Sequence, residues 1–171
     1  MKPDLKVIVL NGYPLSGKDE FVKFAKTKYN CINHSTVSKI KQIARIMGWD
    51  GTKTPENRQM LSELKDFYTK WYNGSFNDIV YLIETEKVQM EVDEIIFIHV
   101  REPDEIKKIK DFCADKDVSF YSIFVVRDAS EKEHKSHSDQ GVIGFNYDLY
   151  IDNNSTLDKY KHNVLNMLSN M

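Results

Sequence analysis

At 171 residues, with 41% hydrophobic and 29% charged side chains, the chain has the composition of a globular protein and the length of one compact domain rather than two. A net charge of −2 argues against a protein that coats nucleic acid or an anionic membrane by bulk electrostatics, so any phosphate binding must come from a local site. Cys31 and Cys113 stand far apart and form no C-x-x-C pair, which argues against a disulfide framework or a zinc ribbon and suits a reducing cytosol.

The N-terminal residues lead directly into a short apolar run without a signal-peptide core, and no apolar stretch approaches the ~20 residues that span a bilayer. The expectation is a soluble cytoplasmic domain covering 1–171, with neither a nucleic-acid polymer nor a membrane as partner.

Val7 to Leu10 is a continuous apolar run, the pattern of a strand buried on both faces. A helix is predicted from about Gly17 to Lys28, with Phe21, Phe24 and Ala25 on one side, and a short strand near Cys31 to His34. Val37, Ile40, Ile43, Ala44 and Met47 then recur at helical spacing and stop before Gly48. Pro55 opens another helix, whose Met60, Leu61, Leu64, Phe67, Tyr68 and Trp71 make a broad apolar stripe. That stripe predicts burial of its aromatics, with Tyr68 or Tyr72 at its edge and able to touch a nucleobase. A further helix, about Asn77 to Lys87, completes a helical region over about 37–90 that interrupts the βα alternation as an insertion.

Ile95 to Ile98 resumes the buried-strand pattern and ends at His99, Val100 and Arg101. A helix from Pro103 to about Lys116 and a strand from Phe120 to Val126 follow. Residues 128–144 are polar and aperiodic, the composition of a lid or mobile loop. Leu149 to Ile151 is a last strand, and Ser155 with Asp158 resembles a capping box for a final helix. Strands alternating with helices give an α/β fold with a mostly parallel sheet covered by helices.

Between the first strand and the first helix stands Gly12-Tyr13-Pro14-Leu15-Ser16-Gly17-Lys18-Asp19, a match to G-x-x-x-x-G-K. Glycines let the backbone curl until several N–H groups converge on phosphate oxygens, and the helix N-terminus adds positive potential. Lys18 is placed to reach the β- and γ-phosphates of ATP. The next position ordinarily carries a hydroxyl for Mg²⁺; here Asp19 supplies a carboxylate, which the hard cation also accepts. The loop residues from Gly12 through Glu20 are therefore candidates for binding ATP, and Asp19 for holding Mg²⁺.

Arginine is sparse: Arg45, Arg58, Arg101 and Arg127. Arg101 and Arg127 each follow a predicted buried strand, where open α/β sheets place their ligand crevice, and Arg58 begins the inserted helix. Their guanidinium forks suit a second phosphate-bearing substrate, whereas Arg45 reads as solvated surface. His134 and His137 have metal-ligand spacing, but no further ligands complete a site.

Four segments together resemble the deoxynucleoside monophosphate kinase group of P-loop kinases, best known from bacteriophages. Ser16-Gly-Lys-Asp19 resembles that group's S-G-K-D loop. Ser38 to Ala44, the Gly48-Trp-Asp-Gly51 turn and Arg58-Gln-Met-Leu61 resemble its substrate-side helices. Val100-Arg-Glu-Pro-Asp-Glu105 resembles its V-R-x-P-x-E element. His137-Ser-Asp139, Tyr147-Asp148 and Ile151-Asp-Asn153 resemble its lid remnant and last strand.

The resemblance implies a three-layer α/β/α P-loop fold with a five-stranded parallel sheet. It also implies transfer of the γ-phosphate of ATP, with Mg²⁺, to a (deoxy)nucleoside monophosphate. Carried over, Lys18, Arg101 and Arg127 are the catalytic candidates, and Arg58, Arg101 and Tyr68 the acceptor-binding ones. This chain has His99 where the group commonly has Asp before V-R, Glu20 where Thr commonly follows S-G-K-D, and no arginine in its lid beyond Arg127. Two other functions stay open: a nucleotide-binding regulatory module without catalysis, and a kinase with a phosphorylated non-nucleotide acceptor, since animal-type phosphomevalonate kinase also carries an S-G-K-D loop.

Overall fold

A computed structural model of the protein describes residues 3–128 and 145–171. Five strands, β1 (Leu5–Gly12), β2 (Asn30–Ser35), β3 (Glu94–His99), β4 (Ser119–Val126) and β5 (Leu149–Asp152), form one sheet in the order β2-β3-β1-β4-β5. Every pairing is parallel, with Val7 opposite Ile96 and Phe120, and Ile123 opposite Leu149.

Among the described residues the helices are α1 (Lys18–Ala25), α2 (Val37–Ile46), α3 (Pro55–Tyr72), α4 (Gly74–Gln89), α5 (Pro103–Asp115) and α6 (Leu157–Ser169). The α/β architecture expected from the alternating pattern is present, and α2, α3 and α4 lie between β2 and β3 in the chain, as the helical insertion predicts.

Side-chain alternation along the strands sorts the core into two layers. Val7, Val9, Ile96 and Ile98 face Ile79 and Ile83 of α4 and Ile106, Ile109 and Cys113 of α5. Ile8, Leu10, Phe97 and Ile123 face Phe21, Val22 and Ala25 of α1 and Tyr160, Val164 and Leu168 of α6. Strands covered on both sides need apolar residues at every position, which is why β1 and β3 read as unbroken apolar runs. The loops at the carboxyl ends of β1, β3 and β4 are thereby fixed on a rigid platform.

The structure corrects two expectations. The aromatic stripe of α3 is not core: α3 has no buried residue, and Phe67, Trp71 and Tyr72 are more than half exposed. The helix packs on α2 and α4 rather than on the sheet, so its apolar spacing serves a shallow helix–helix contact while its aromatics pack on one another at the surface. Second, the cap of α6 is Thr156, not Ser155. The Thr156 hydroxyl accepts from the Lys159 N–H, three residues on, which is the reach of an N-cap side chain. The lid assigned to 128–144, with His134 and His137, lies outside the described residues except for Asp128.

Candidate active site

The turn between β1 and α1 closes on itself. Gly12, Leu15 and Gly17 all have positive φ, at 148°, 63° and 106°, and the Ser16 N–H donates to the Tyr13 carbonyl at 3.1 Å. Left-handed steps at short intervals turn successive amides toward one concavity, the geometry of an anion nest. The glycines are needed sterically. A Cβ on Gly12 would lie 2.5 Å from Ser16 Oγ and 2.7 Å from the Val125 carbonyl.

The loop's outward carbonyls are held by side chains from the other end of the chain. Asn153 Nδ2 donates to Ser16 O at 2.7 Å, Tyr160 Oη to Gly17 O at 3.2 Å, and Arg127 Nη1 to Leu15 O at 3.0 Å. Those three contacts brace the loop from the side of β4, β5 and α6. Lys18 Nζ folds over the loop, donating to Gly12 O and Tyr13 O, each at 2.7 Å. Its charge is therefore kept at the concavity and not directed away into solvent. Loop, lysine and helix N-terminus together fit a nucleotide polyphosphate.

From Lys18 and Asp19 a cleft of about 580 Å³ runs over the carboxyl ends of β1, β2 and β3. Lys41 of α2, Arg58 and Lys65 of α3, and Arg101 after β3 bring further positive charge to its walls, and Asp19 and His99 line it as well. The cleft thus joins Lys18, Asp19, Arg58 and Arg101, predicted from sequence. Tyr68 lies elsewhere: its hydroxyl donates to the Asp78 carboxylate at 3.2 Å and its ring abuts Gly74 at the α3–α4 junction. Arg127 sits on the far side of the loop, against Leu15.

Within the loop segment the side chains diverge in role. Tyr13 is buried in the core, edge-on to Phe124, so only its backbone belongs to the cradle. The Glu20 carboxylate pairs with Lys23 on α1, and the Leu15 side chain is exposed. Asp19 stands in the first turn of α1 and offers one carboxylate. Among the described residues no group of three or more His, Cys, Asp or Glu comes together to hold a metal. Mg²⁺ takes one or two protein carboxylates and completes its shell with water and phosphate oxygens, so Asp19 is the residue that could hold it.

His99 ends β3 beside the loop. Its Nε2 lies 2.6 Å from Asn33 Oδ1 on β2, which sets the ring's orientation, and Thr36 Oγ1 donates to the His99 carbonyl. Burial, and then the nearby Lys18 charge, hold its pKa below the ordinary value. His99 is thus a neutral side chain where an acidic one would add negative charge.

Asn153, Tyr160, Asn11 and Asn33 were not predicted as site residues. Asn11 Nδ2 donates to Val100 O at 2.7 Å and to Tyr147 Oη at 2.9 Å, tying β1 to the residue before Arg101. The available signal for Asn11 was a polar residue ending an apolar strand immediately before the loop's first glycine.

No protein-family model matches this sequence, and no curated protein matches it either. Solved structures do resemble it in fold. The APS kinase of Mycobacterium tuberculosis, solved in complex with AMPPNP and APS, superposes with a TM-score of 0.53 at 12% identity, over 98% of this chain and 99% of that one. A gluconokinase from Sinorhizobium meliloti 1021 gives 0.51 at 15% identity, over 99% and 93%. A tunicamycin resistance protein from Deinococcus radiodurans gives 0.54 at 8% identity, over 96% of each chain. The chain therefore has the fold of P-loop kinases. No described helix is long and apolar enough to cross a membrane.

Proposed function

We propose that the protein transfers the γ-phosphoryl group of ATP to a (deoxy)nucleoside monophosphate. The observation that carries this reading is that the phosphate-type loop and the arginine-bearing cleft share Lys18 and Asp19 as a common wall. A donor seated on the loop and an acceptor held by Arg58 and Arg101 would then meet at Lys18. That the APS kinase and the gluconokinase of similar fold are kinases supports phosphoryl transfer on this architecture.

Phosphoryl transfer asks the protein mainly for alignment and charge neutralisation. The loop amides bind the β- and γ-phosphate oxygens. Lys18, released from Gly12 O and Tyr13 O, follows the charge as it moves toward the β–γ bridge. Arg58 and Arg101 orient the acceptor phosphate for in-line attack. Asp19 would hold Mg²⁺, whose chemistry there would be to neutralise phosphate charge.

The test is ADP release in the presence of ATP and Mg²⁺, measured with dAMP, dCMP, dGMP, dTMP and dUMP in turn. ADP formation that depends on one of these acceptors is the expected result. Tight AMPPNP binding without acceptor-dependent ADP would instead make the chain a nucleotide-binding module, which the neutral His99 beside Lys18 favours as the second reading. ADP formation only with a phosphorylated non-nucleotide would keep the kinase and replace its acceptor.

A further inference from the structure

Beside the cleft lies a second cavity, of about 270 Å³, lined by residues of α3, α4, α5 and the turn after β3. The two cavities share Lys65, Asp66 and Glu102 as walls, so they meet along the Lys65–Glu102 ion pair. Thr69, Ser75 and Glu105 line the second cavity alone.

Glu105 is the anomaly there. It is 7% exposed. Its Oε1 takes Lys108 Nζ at 2.9 Å, but Oε2 is shut away from solvent with no hydrogen-bond partner. It is the one such buried side-chain polar atom among the described residues. A buried carboxylate oxygen left unpaired destabilises a protein, so its retention calls for a partner that arrives with a ligand. Glu105 lines the second cavity, and because the terminal torsion of a glutamate is broad, a rotation of the carboxylate would turn Oε2 toward it.

We propose that Glu105 is a specificity-determining residue whose Oε2 accepts a hydrogen bond from an amino group on the acceptor, at the end remote from its phosphate. This rests on the nucleoside monophosphate reading above. With the phosphate at Arg58 and Arg101, the remainder of the molecule passes Lys65 and Asp66 into the second cavity. An ionised carboxylate only accepts. It matches the exocyclic amino group of cytosine, adenine or guanine. Thymine and uracil offer a single ring N–H between two carbonyl oxygens, whose lone pairs would face the carboxylate. The pocket should therefore discriminate against them.

The experiment measures binding of dCMP, dAMP, dGMP, dTMP and dUMP by calorimetry in the presence of AMPPNP, for the wild-type chain and for Glu105→Gln and Glu105→Leu. In the wild type an amino-bearing monophosphate should bind roughly 10- to 100-fold tighter than dUMP or dTMP, the range set by one hydrogen bond to a charged group. Glu105→Leu should lose that preference and Glu105→Gln should weaken it, since a neutral amide carbonyl accepts less strongly than a carboxylate, while both hold AMPPNP as before. The ligand-free melting temperature of Glu105→Leu should stay level or rise, whereas a purely structural carboxylate would make it fall.

A wild-type preference for dTMP or dUMP overturns the proposal, and so does a preference that survives in both variants. The wild-type comparison of dCMP with dUMP decides the matter even where a variant does not fold. Failure of every monophosphate to bind, with AMPPNP bound, would remove the acceptor reading itself, a different result from binding without discrimination.

Discussion

Asn153 Nδ2 donates to the carbonyl of Ser16 at 2.7 Å across 137 residues of sequence, so the residue after the last strand shapes the phosphate loop after the first. The same amide explains Gly17. A Cβ at position 17 would fall 2.3 Å from Asn153 Nδ2, at a φ of 106° that L side chains rarely adopt. Gly17→Ala should therefore abolish AMPPNP binding in calorimetry. Asn153→Ala frees one carbonyl and should weaken binding about 3- to 10-fold, the worth of one neutral hydrogen bond. Unchanged affinity in Asn153→Ala would mean that the loop holds its shape unaided.

Lys18 is poised differently from a surface lysine, because its ammonium already bridges Gly12 O and Tyr13 O. Moving from two carbonyls to the phosphates exchanges neutral acceptors for anionic ones, a gain that grows as charge develops during transfer. Lys18→Ala should lower kcat by a factor on the order of 10² to 10³, as loss of a preorganised charge-stabilising donor does elsewhere. Circular dichroism should show the fold retained. Full turnover by a folded Lys18→Ala protein would remove the lysine from the chemistry.

Much of the platform was legible because its causes are local. Unbroken apolar runs at Val7–Leu10 and Ile95–Ile98 mark strands covered on both faces, and the structure extends them to Leu5–Gly12 and Glu94–His99. The G-x-x-x-x-G-K spacing placed the loop and Lys18 for the same reason. What escaped was non-local. Nothing near Asn153 or Tyr160 announces that they meet the carbonyls of residues 16 and 17, since the contact exists only once β5 joins β4 at the edge of the sheet and α6 packs on α1. The α3 stripe misled in the opposite direction. Helical spacing of Leu64, Phe67 and Trp71 reports a face with a partner, but cannot tell a deep sheet contact from a shallow contact with α2 and α4.

His99 gives the site a pH signature. Burial lowers its pKa from 6.5, and burial lowers that of His34 as well. When the folded pKa lies below the unfolded one, the unfolded chain binds more protons between the two values, and stability rises with pH across that window. The contribution is present in full above about pH 6.5 and is lost as pH falls through the folded values. The melting temperature should accordingly fall on acidification from about pH 7 toward pH 5, and His99→Gln should flatten part of that slope, leaving the share due to His34. A slope unchanged by His99→Gln would show that the ring is not held neutral by its surroundings.

The arginines divide by position, and kinetics should separate them. Arg58 and Arg101 line the cleft, whereas Arg127 Nη1 is engaged with Leu15 O on the loop. On the proposed reading, the first pair holds the acceptor and the third shapes the donor site. Arg58→Ala and Arg101→Ala should each raise the acceptor KM about 10- to 100-fold, the worth of a charge-assisted hydrogen bond to phosphate. Both should leave the KM for ATP within a factor of about two, because on the proposed reading they hold the acceptor rather than the donor. Arg127→Ala should do the reverse, weakening ATP while sparing the acceptor. If Arg127→Ala raised the acceptor KM alone, or Arg58→Ala that of ATP alone, donor and acceptor would have to exchange ends of the cleft.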